Sequence, residues 1–481
     1  MAPFAKVGGL ADVAAALSRA LASRGHDVRV VLPLYGNLDR DRENIRPLKK
    51  LPPLALRVGQ EVHDVRFHVR GSTSSAVKIY LVECSTLFEK KGIYTYSDGV
   101  GFEDSLARSS LHGQAALLLP RLLDWPVDVV HAHDASAVSA VLYRKHWYAG
   151  RQVPGPAGTL LTIHNLAHQE THPTDAMDTL GLSRSLASYP GLLEFHGRIN
   201  LLKAGILGAD LVNTVSPNYA LETTGDEEYG CGLQEILQSR GQDYCGILNG
   251  GDYETWDPSR DKALAATYCP DRLAGKAKCR TALLKELKLA PEASQPVCGF
   301  VGRLVGQKGV DILLPIMSRL AQDGFAFAIL GTGEQRLEKA MREVASRHKT
   351  RIAFVDKFDE SLAHRIYAGS DLFLMPSQFE PCGLSQMYAL RYGTPPVVRW
   401  TGGLADTVTD AQQDEAVGTG FVFTDSRPES LLAALRRAQV MFADPDRWLE
   451  LQAAGMAQDF SWDLAAENYE KLYKTAVSRQ S

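Results

Sequence analysis

Eight short runs rich in β-branched residues alternate with helix-length amphipathic stretches, and this alternation constrains the fold more than any other feature of the chain. The runs are "HDVRVVLPLY", "DVVHAHD", "GTLLTIHN" and "DLVNTVS" in the first half, then "VCGFVGRL", "FAFAILGTG", "RIAFVD" and "DLFLMPS" in the second. Strands separated by a helix are expected to lie parallel in a sheet with helices on its faces. The rhythm therefore predicts an α/β chain with two doubly wound domains. The runs lead into polar or glycine-rich text ("HAHDAS", "TIHNLAHQE", "TVSPNY", "GRLVGQKG", "LGTGEQ", "PSQFEPCGL"), and ligands of such sheets bind at the carboxyl ends of strands. One cleft between two facing domains is expected to collect these ends. Between the halves, "ILNGGDYETWDPSRDK" concentrates turn residues without a period, which places a linker near residues 250–258. The expected division is 1–250, 251–460 and a last helix over 461–481. That tail, "WDLAAENYEKLYKTAV", reads as amphipathic, with Leu464, Tyr469, Leu472 and Tyr473 on its apolar stripe.

The 481 residues, 45% hydrophobic and 22% charged, suffice for two or three domains with sizeable cores. A net charge of -4 without a block of Lys or Arg excludes a phosphate-coating surface, so no nucleic-acid partner is expected. No run approaches the roughly 18 apolar residues of a membrane span, and "MAPFAKVGGLADV" carries no secretory or transit pattern. The chain as given reads as soluble, without membrane attachment or a targeting segment. Seven scattered cysteines with no CxxC pair fit a reducing compartment, most of them as small core residues.

Four stretches carry candidate chemistry. In "KVGGLADV", the amides of Gly8 and Gly9 and the start of a helix are placed to meet an anion, with Lys6 adding charge; the bland reading is a simple helix start. In "GRLVGQKG", Arg303 and Lys308 flank a glycine-bearing turn after a strand, so both cations converge on one pyrophosphate. The spacing is not that of a P-loop, and "LGTGEQR", with Gly333, lacks the third glycine of a dinucleotide fingerprint. "HAHDAS" departs from a metal-binding HxHxDH, because Asp134 comes one position early. His131 and His133 are expected to face opposite ways, one packed in the core and one in the cleft. The triplets "DRD" (39–41) and "DPD" (444–446) follow no strand that ends in the cleft. There is no G-x-S-x-G elbow and no carboxylate pair suited to hydrolysis, so the chemistry reads as phosphate departure. The fourth stretch, "EPCGLSQMYALRYGTPPVV", sets an acid, a cysteine and a glycine after the run "DLFLMPS".

Taken in order from residue 2 to about 473, "APFAKVGGLADV", "HAHD", "TIHNLAHQ", "KAGILGADLVNTVSP", "GRLVGQKG", "FEPCGLSQMYALRYGTPPVV", "TGGLADTV" and "DFSWD" resemble the glycogen and starch synthases. The resemblance implies a GT-B glycosyltransferase fold whose last helix crosses back onto the first domain. It also implies transfer of glucose from ADP-glucose to the non-reducing end of an α-1,4-glucan, with retention and without a metal or other cofactor. By resemblance Glu380 holds the donor glucose hydroxyls, and the amides of Cys382, Gly383 and Leu384 face the sugar and phosphates. Lys6, Gly8 and Gly9 approach the diphosphate from the first domain, and Arg303 and Lys308 hold it from the second. His133 contacts the donor sugar near the anomeric centre, Asn249 places sugar or acceptor on the first-domain side, Asp12 is a candidate for acceptor contact, and Gly333 one for nucleotide contact. The implied compartment is cytoplasmic in a bacterium and the plastid stroma in a photosynthetic eukaryote. The sequence carries no signal of oligomeric state.

Several positions depart from the family pattern. Members usually begin with a β-strand just before this first motif, central in the first sheet, and here Met1 stands without it. A truncated chain is one reading, in which any targeting segment is lost with the strand. Ala135 replaces the usual Trp, Gln378 the usual Arg and Gly251 the usual Ile, while Tyr388 stands where some related transferases carry a second Glu. The last favours same-face attack over a covalent Glu380 intermediate. The competing readings are a transferase using UDP-glucose and a glucan-binding scaffold that consumes no donor.

Overall fold

A computed structural model describes residues 1–71, 76–90, 92–96, 100–146, 157–411 and 418–480. The chain forms two compact units: Met1–Val215 with Ala220–Ile247 and Trp462–Ser481, and Ser216–Tyr219 with Leu248–Ser461.

The first unit opens with α1 (Gly9–Ser23), an alanine-rich helix that buries Val13, Ala16, Leu17, Ala20 and Leu21. Five strands follow: β1 (Arg29–Pro33), β2 (Ile45–Pro47), β3 (Leu54–Val58), β4 (Glu61–Arg70) and β5 (Lys78–Glu83). Only β1 and β5 are parallel; β4 runs antiparallel to β2, β3 and β5. Sequence rhythm missed this meander because β3 and β4 join through two residues, with Gly59 at φ 59°, rather than through a helix. The next strands are β6 (Val129–His133), β7 (Gly158–Ile163), a small antiparallel sheet of β8 (Thr171–Pro173), β9 (Glu194–Phe195) and β10 (Arg198–Asn200), then β11 (Leu211–Thr214) and β12 (Tyr244–Gly246). β12, β11, β7 and β6 make a parallel sheet in that order.

The second unit holds six parallel strands: β13 (Val297–Val301), β14 (Ala326–Leu330), β15 (Ile352–Val355), β16 (Leu372–Met375), β17 (Pro396–Arg399) and β18 (Phe421–Phe423). Their order is β15-β14-β13-β16-β17-β18, and the central strands are buried along their length, as a sheet covered on both faces requires. Three helices position the site: α2 (Val310–Gln322), α3 (Ser385–Arg391) and α4 (Gly402–Thr407).

The segment read as a linker, 250–258, is packed into the second unit. Asp252 caps its turn by accepting from the amides of Glu254 and Thr255, and Trp256 stacks on His364 at 3.8 Å and on Tyr388 at 4.6 Å. Turn chemistry made it read as a linker; one aromatic anchor holds it in place. The last helix, α5 (Trp462–Ser478), packs in the first unit with α1. Its buried face is Trp462, Ala465, Ala466, Tyr469 and Ala476, whereas Leu464 is 54% exposed. Small residues win this face because α5 lies close on β7: a Cβ on Gly158 would sit 2.6 Å from the Ala476 carbonyl oxygen. Among the described residues, no helix is long and apolar enough to cross a membrane.

Candidate active site

In the second unit, β13 and β16 are parallel neighbours, so the loops after them emerge at the same edge of the sheet. The first loop carries Arg303 and a turn over Gly306–Lys308; the second carries Ser377 to Leu384. The two are stitched together. The Gln378 amide donates to the Gln307 carbonyl at 2.8 Å, and Gln307 Nε2 returns to the Phe379 carbonyl at 3.2 Å. Lys308 Nζ then lies 2.5 Å from Glu380 Oε2, and Ser377 Oγ donates to the same oxygen at 3.1 Å. Both bonds fall on Oε2, so Oε1 takes part in neither. Glu380 is 7% exposed, and the exposed Arg303 reaches Gln307 Oε1 at 3.4 Å. A buried carboxylate, a paired ammonium and an exposed guanidinium thus share one strand-end surface.

Glycines decide how closely these loops approach their neighbours. At Gly309, φ is 68° and a Cβ would stand 1.8 Å from the Pro376 carbonyl oxygen, so the turn bearing Lys308 tolerates no side chain there. On the other side, α4 starts directly under the acidic loop: a Cβ on Gly402 would lie 2.0 Å from the Glu380 oxygen, and one on Gly403 2.1 Å from the Cys382 oxygen. Arg399 clamps the same loop, its Nε donating to the Ser377 carbonyl at 2.9 Å and its Nη2 to that of Gln378. Gln307, Ser377, Arg399, Gly402 and Gly403 were not singled out from sequence; the adjacent glycines of "TGGL" were the signal at hand.

Gly383 has φ 73° and leads into α3, whose N-cap is Leu384. Among the described residues, the amides of Cys382, Gly383 and Leu384 donate to no backbone carbonyl. Burial pushes the Cys382 thiol up to about 12, so this cysteine stays a neutral thiol. Asn249 belongs to the second unit, not to the first-domain side where it was expected; its backbone and side-chain N–H groups reach Cys382, and its buried Oδ1 has no hydrogen-bond partner. Gly333 is a glycine for a structural reason: a Cβ would meet the Leu304 oxygen at 2.1 Å, and its amide is already given to Glu338 Oε1 at 2.8 Å. Gln378, in place of the family's Arg, donates to Asp311 Oδ2 at 2.9 Å and leaves buried Asp311 Oδ1 unpaired.

In the first unit, Gly8 caps α1 with φ 145°, Gly9 is the first helical residue, and a Cβ on either would meet nothing within 4 Å. Lys6 pairs with Asp12 at 3.2 Å. His131 and His133 do not face opposite ways. Residues two apart in a strand share a face, and their rings lie with centroids 4.1 Å apart, tilted by 31°. His133 Nδ1 meets His164 Nε2 at 2.9 Å. Burial, reinforced by the neighbouring imidazoles, drives His131 and His133 well below the usual histidine range, and burial takes His164 down to about 3. All three rings are therefore neutral near pH 7.

Asp134 follows at φ 57°, accepting the His164 amide at 2.7 Å, while burial pushes its carboxyl up to about 6. A folded-state value above the ordinary 3.8 means that the ionised form is penalised in the native state. That penalty is absent at low pH, grows as pH rises through the folded value and is complete above it. Asp134→Asn keeps the acceptor and tolerates the left-handed backbone. Relative to wild type it is expected to gain on the order of 1 kcal/mol of stability at pH 8 and little at pH 4. Urea unfolding at the two pH values checks this; an equal effect at both would refute it.

Among the described residues, no group of three His, Cys, Asp or Glu side chains could hold a metal ion. All seven cysteines are free; Cys84, Cys279, Cys298 and Cys382 are buried and Cys231 is exposed.

Two α/β units, the second with cations at its strand ends, are the architecture of GT-B glycosyltransferases, and the relatives of this chain belong to that class. Residues 1–239 match the family model for the starch synthase catalytic domain, and residues 285–440 that for glycosyl transferases group 1. A glycogen synthase 2 of Geobacter metallireducens is 40% identical over 100% of this chain and 98% of its own. A glycogen synthase of Thioalkalivibrio sulfidiphilus is 44% identical over 99% and 98%. The catalytic domain of starch synthase IV from Arabidopsis thaliana, solved bound to ADP and acarbose, superposes with a TM-score of 0.90 at 33% identity, covering 100% of this chain and 98% of that one. The chain belongs to the glycogen/starch synthase family and is a glucan-elongating glycosyltransferase.

Proposed function

We propose that the chain transfers glucose from ADP-glucose to the non-reducing end of an α-1,4-glucan with retention of configuration, using fixed cations where other transferases use a metal. The observation that carries this reading is the Lys308–Glu380 pair, set 2.5 Å apart at the shared edge of β13 and β16 beside Arg303 and the amides of Cys382 to Leu384. Glu380 accepts hydroxyls of the donor glucose. Lys308, Arg303 and those amides meet the charge that develops on the departing diphosphate. The unpaired Asn249 Oδ1 takes a sugar hydroxyl, which satisfies a buried acceptor that otherwise has no partner. In the first unit, substrate contact falls to His133, to Lys6 and to the amides of Gly8 and Gly9, with Asp12 holding Lys6.

This reading takes same-face attack as the step, because Tyr388, stacked on Trp256, offers no second carboxylate to serve beside Glu380. The acceptor hydroxyl oxygen bonds to the anomeric carbon as the bond from that carbon to the diphosphate oxygen breaks. The hydroxyl proton passes to an oxygen of the leaving diphosphate. Trapping a glucosyl ester on Glu380 would overturn this step.

The test is to supply glycogen with ADP-glucose or UDP-glucose and follow nucleoside diphosphate release and chain lengthening. ADP-glucose is expected to be the faster donor; equal or faster turnover of UDP-glucose refutes the donor assignment. Arg303→Ala is expected to lower kcat about a hundredfold, the usual consequence of losing one preorganised charge contact. Unchanged turnover would remove Arg303 from the site.

A further inference from the structure

The sheet face beneath α5 carries a polar row in the middle of an apolar cluster. Val129, Leu160, Leu211, Tyr469 and Trp462 pack there as expected for a helix on a sheet. Yet His131 and His133 of β6, Thr162 of β7 and Asn213 of β11 share that face, through the registers His131↔Leu160, His133↔Thr162 and Asn213↔Thr162. Buried polar groups among apolar ones must be mutually satisfied, and here the bonding pattern admits one solution.

Asn213 Nδ2 donates to the Thr214 carbonyl and to Tyr469 Oη, both at 3.2 Å, which makes Asn213 Oδ1 the acceptor of that amide. The Thr162 hydroxyl donates to Oδ1 at 2.6 Å and so has spent its only proton. His131 Nε2, 2.7 Å from the same hydroxyl, is therefore the N–H that donates to it. In the neutral ring, Nδ1 is then bare, and the Tyr473 hydroxyl, 2.9 Å away, donates to it. The Asn213–Thr162 end of this chain sets the tautomer of His131, and the bonds at its two nitrogens fix the ring plane. The His131 ring stands 4.1 Å from the His133 ring, tilted by 31°, and His133 Nδ1 meets His164 Nε2.

We infer that Tyr473, on the last helix, is a positioning residue for glucosyl transfer: its hydroxyl bonds Nδ1 of the Nε2–H tautomer that Thr162 sets and so holds the ring plane of His131, which in turn holds the His133 imidazole against His164. The reading rests on the assignment of His133 to substrate contact. Tyr473 touches neither substrate nor reacting atoms. Its effect passes through two rings, so it bears on the placement of His133 in the reacting complex more than on ground-state affinity.

Histidine-selective 15N labelling of the full chain, read by long-range proton–nitrogen correlation, is the test, with steady-state kinetics on Tyr473→Phe, Thr162→Val and His133→Ala. In wild type, His131 should show a protonated Nε2 and a pyridine-type, hydrogen-bonded Nδ1. Tyr473→Phe should shift His131 Nδ1 towards an unbonded value, move the His133 nitrogens, and lower kcat about tenfold while KM changes less than about twofold. Thr162→Val removes the acceptor of Nε2–H and should allow His131 to carry its proton on Nδ1, which a purely space-filling role for Tyr473 would not predict. Protonated Nδ1 in wild-type His131 would overturn the inference. Unmoved His133 nitrogens with unchanged kcat in Tyr473→Phe would do so too. If His133→Ala itself retains full turnover, the assignment of His133 fails instead; a dead His133→Ala beside a fully active Tyr473→Phe refutes the positioning role alone.

Discussion

Glu380→Ala is expected to lower kcat by about a thousandfold or more, with only a modest rise in donor KM, because two losses coincide. The donor glucose loses an ionised acceptor held in place by Lys308 and Ser377. Lys308 loses the partner that fixes its ammonium, so a charge meant for the leaving diphosphate becomes mobile. Glu380→Gln separates the two: the amide still accepts a hydroxyl but no longer pairs with the ammonium, so its loss should fall between wild type and alanine. Stability should change little in either variant, since Lys308 is 22% exposed and water reaches it once unpaired. Initial rates at saturating donor with glycogen as acceptor decide the matter. A loss under about tenfold in the alanine variant would mean that the carboxylate is structural, contrary to its placement.

Gly402→Ala is the second large effect, and it arises without removing any reactive group. A Cβ there would stand 2.0 Å from the Glu380 carbonyl oxygen and 2.8 Å from its carbonyl carbon, at φ 43°. Normal contact requires the two backbones to separate by about an ångström, and a misplacement of that size at a reacting centre costs about a hundredfold or more in rate. Overpacking together with the left-handed backbone should also cost about 3 kcal/mol of stability. Gly197→Ala provides the comparison: it too has positive φ, 73°, but its Cβ would meet nothing within 4 Å. That variant is expected to lose about 1 kcal/mol and no activity. Equal kinetics for the two variants would show that the contact of Gly402 with the acidic loop does not position Glu380.

Glycine at 402 also marks where sequence reading stopped. Residues with distinctive chemistry at strand ends, Glu380, Arg303 and Lys308, were legible because charge after an apolar run is unusual and the β/α rhythm says where strands end. The residues that seat them were not. Arg399 reads as one more cation, and it acts through main-chain carbonyls about twenty positions upstream that no local pattern reveals. The chain does change unit at Ile247/Leu248, close to the expected division at 250, but Trp256 ties the turn residues of 250–258 to the second unit. The histidine pair was misjudged on geometry that strand alternation alone supplies: period two puts His131 and His133 on one face.

Composition and periodicity determined that β6, β7 and β11 to β18 form parallel sheets covered by helices, since alternating hydrophobic runs can bury themselves in few other ways, but not the antiparallel meander of the first unit. They also determined which charged groups stand at the strand ends, because those positions follow from where each run stops. Tertiary structure alone decided which of these groups meet. The 2.5 Å contact of Lys308 with Glu380 depends on β13 and β16 being neighbours. The donor chain from Tyr473 to His131 depends on a C-terminal helix packing on the first unit. Contacts between residues tens or hundreds of positions apart are set by packing, which has no local signature in the chain.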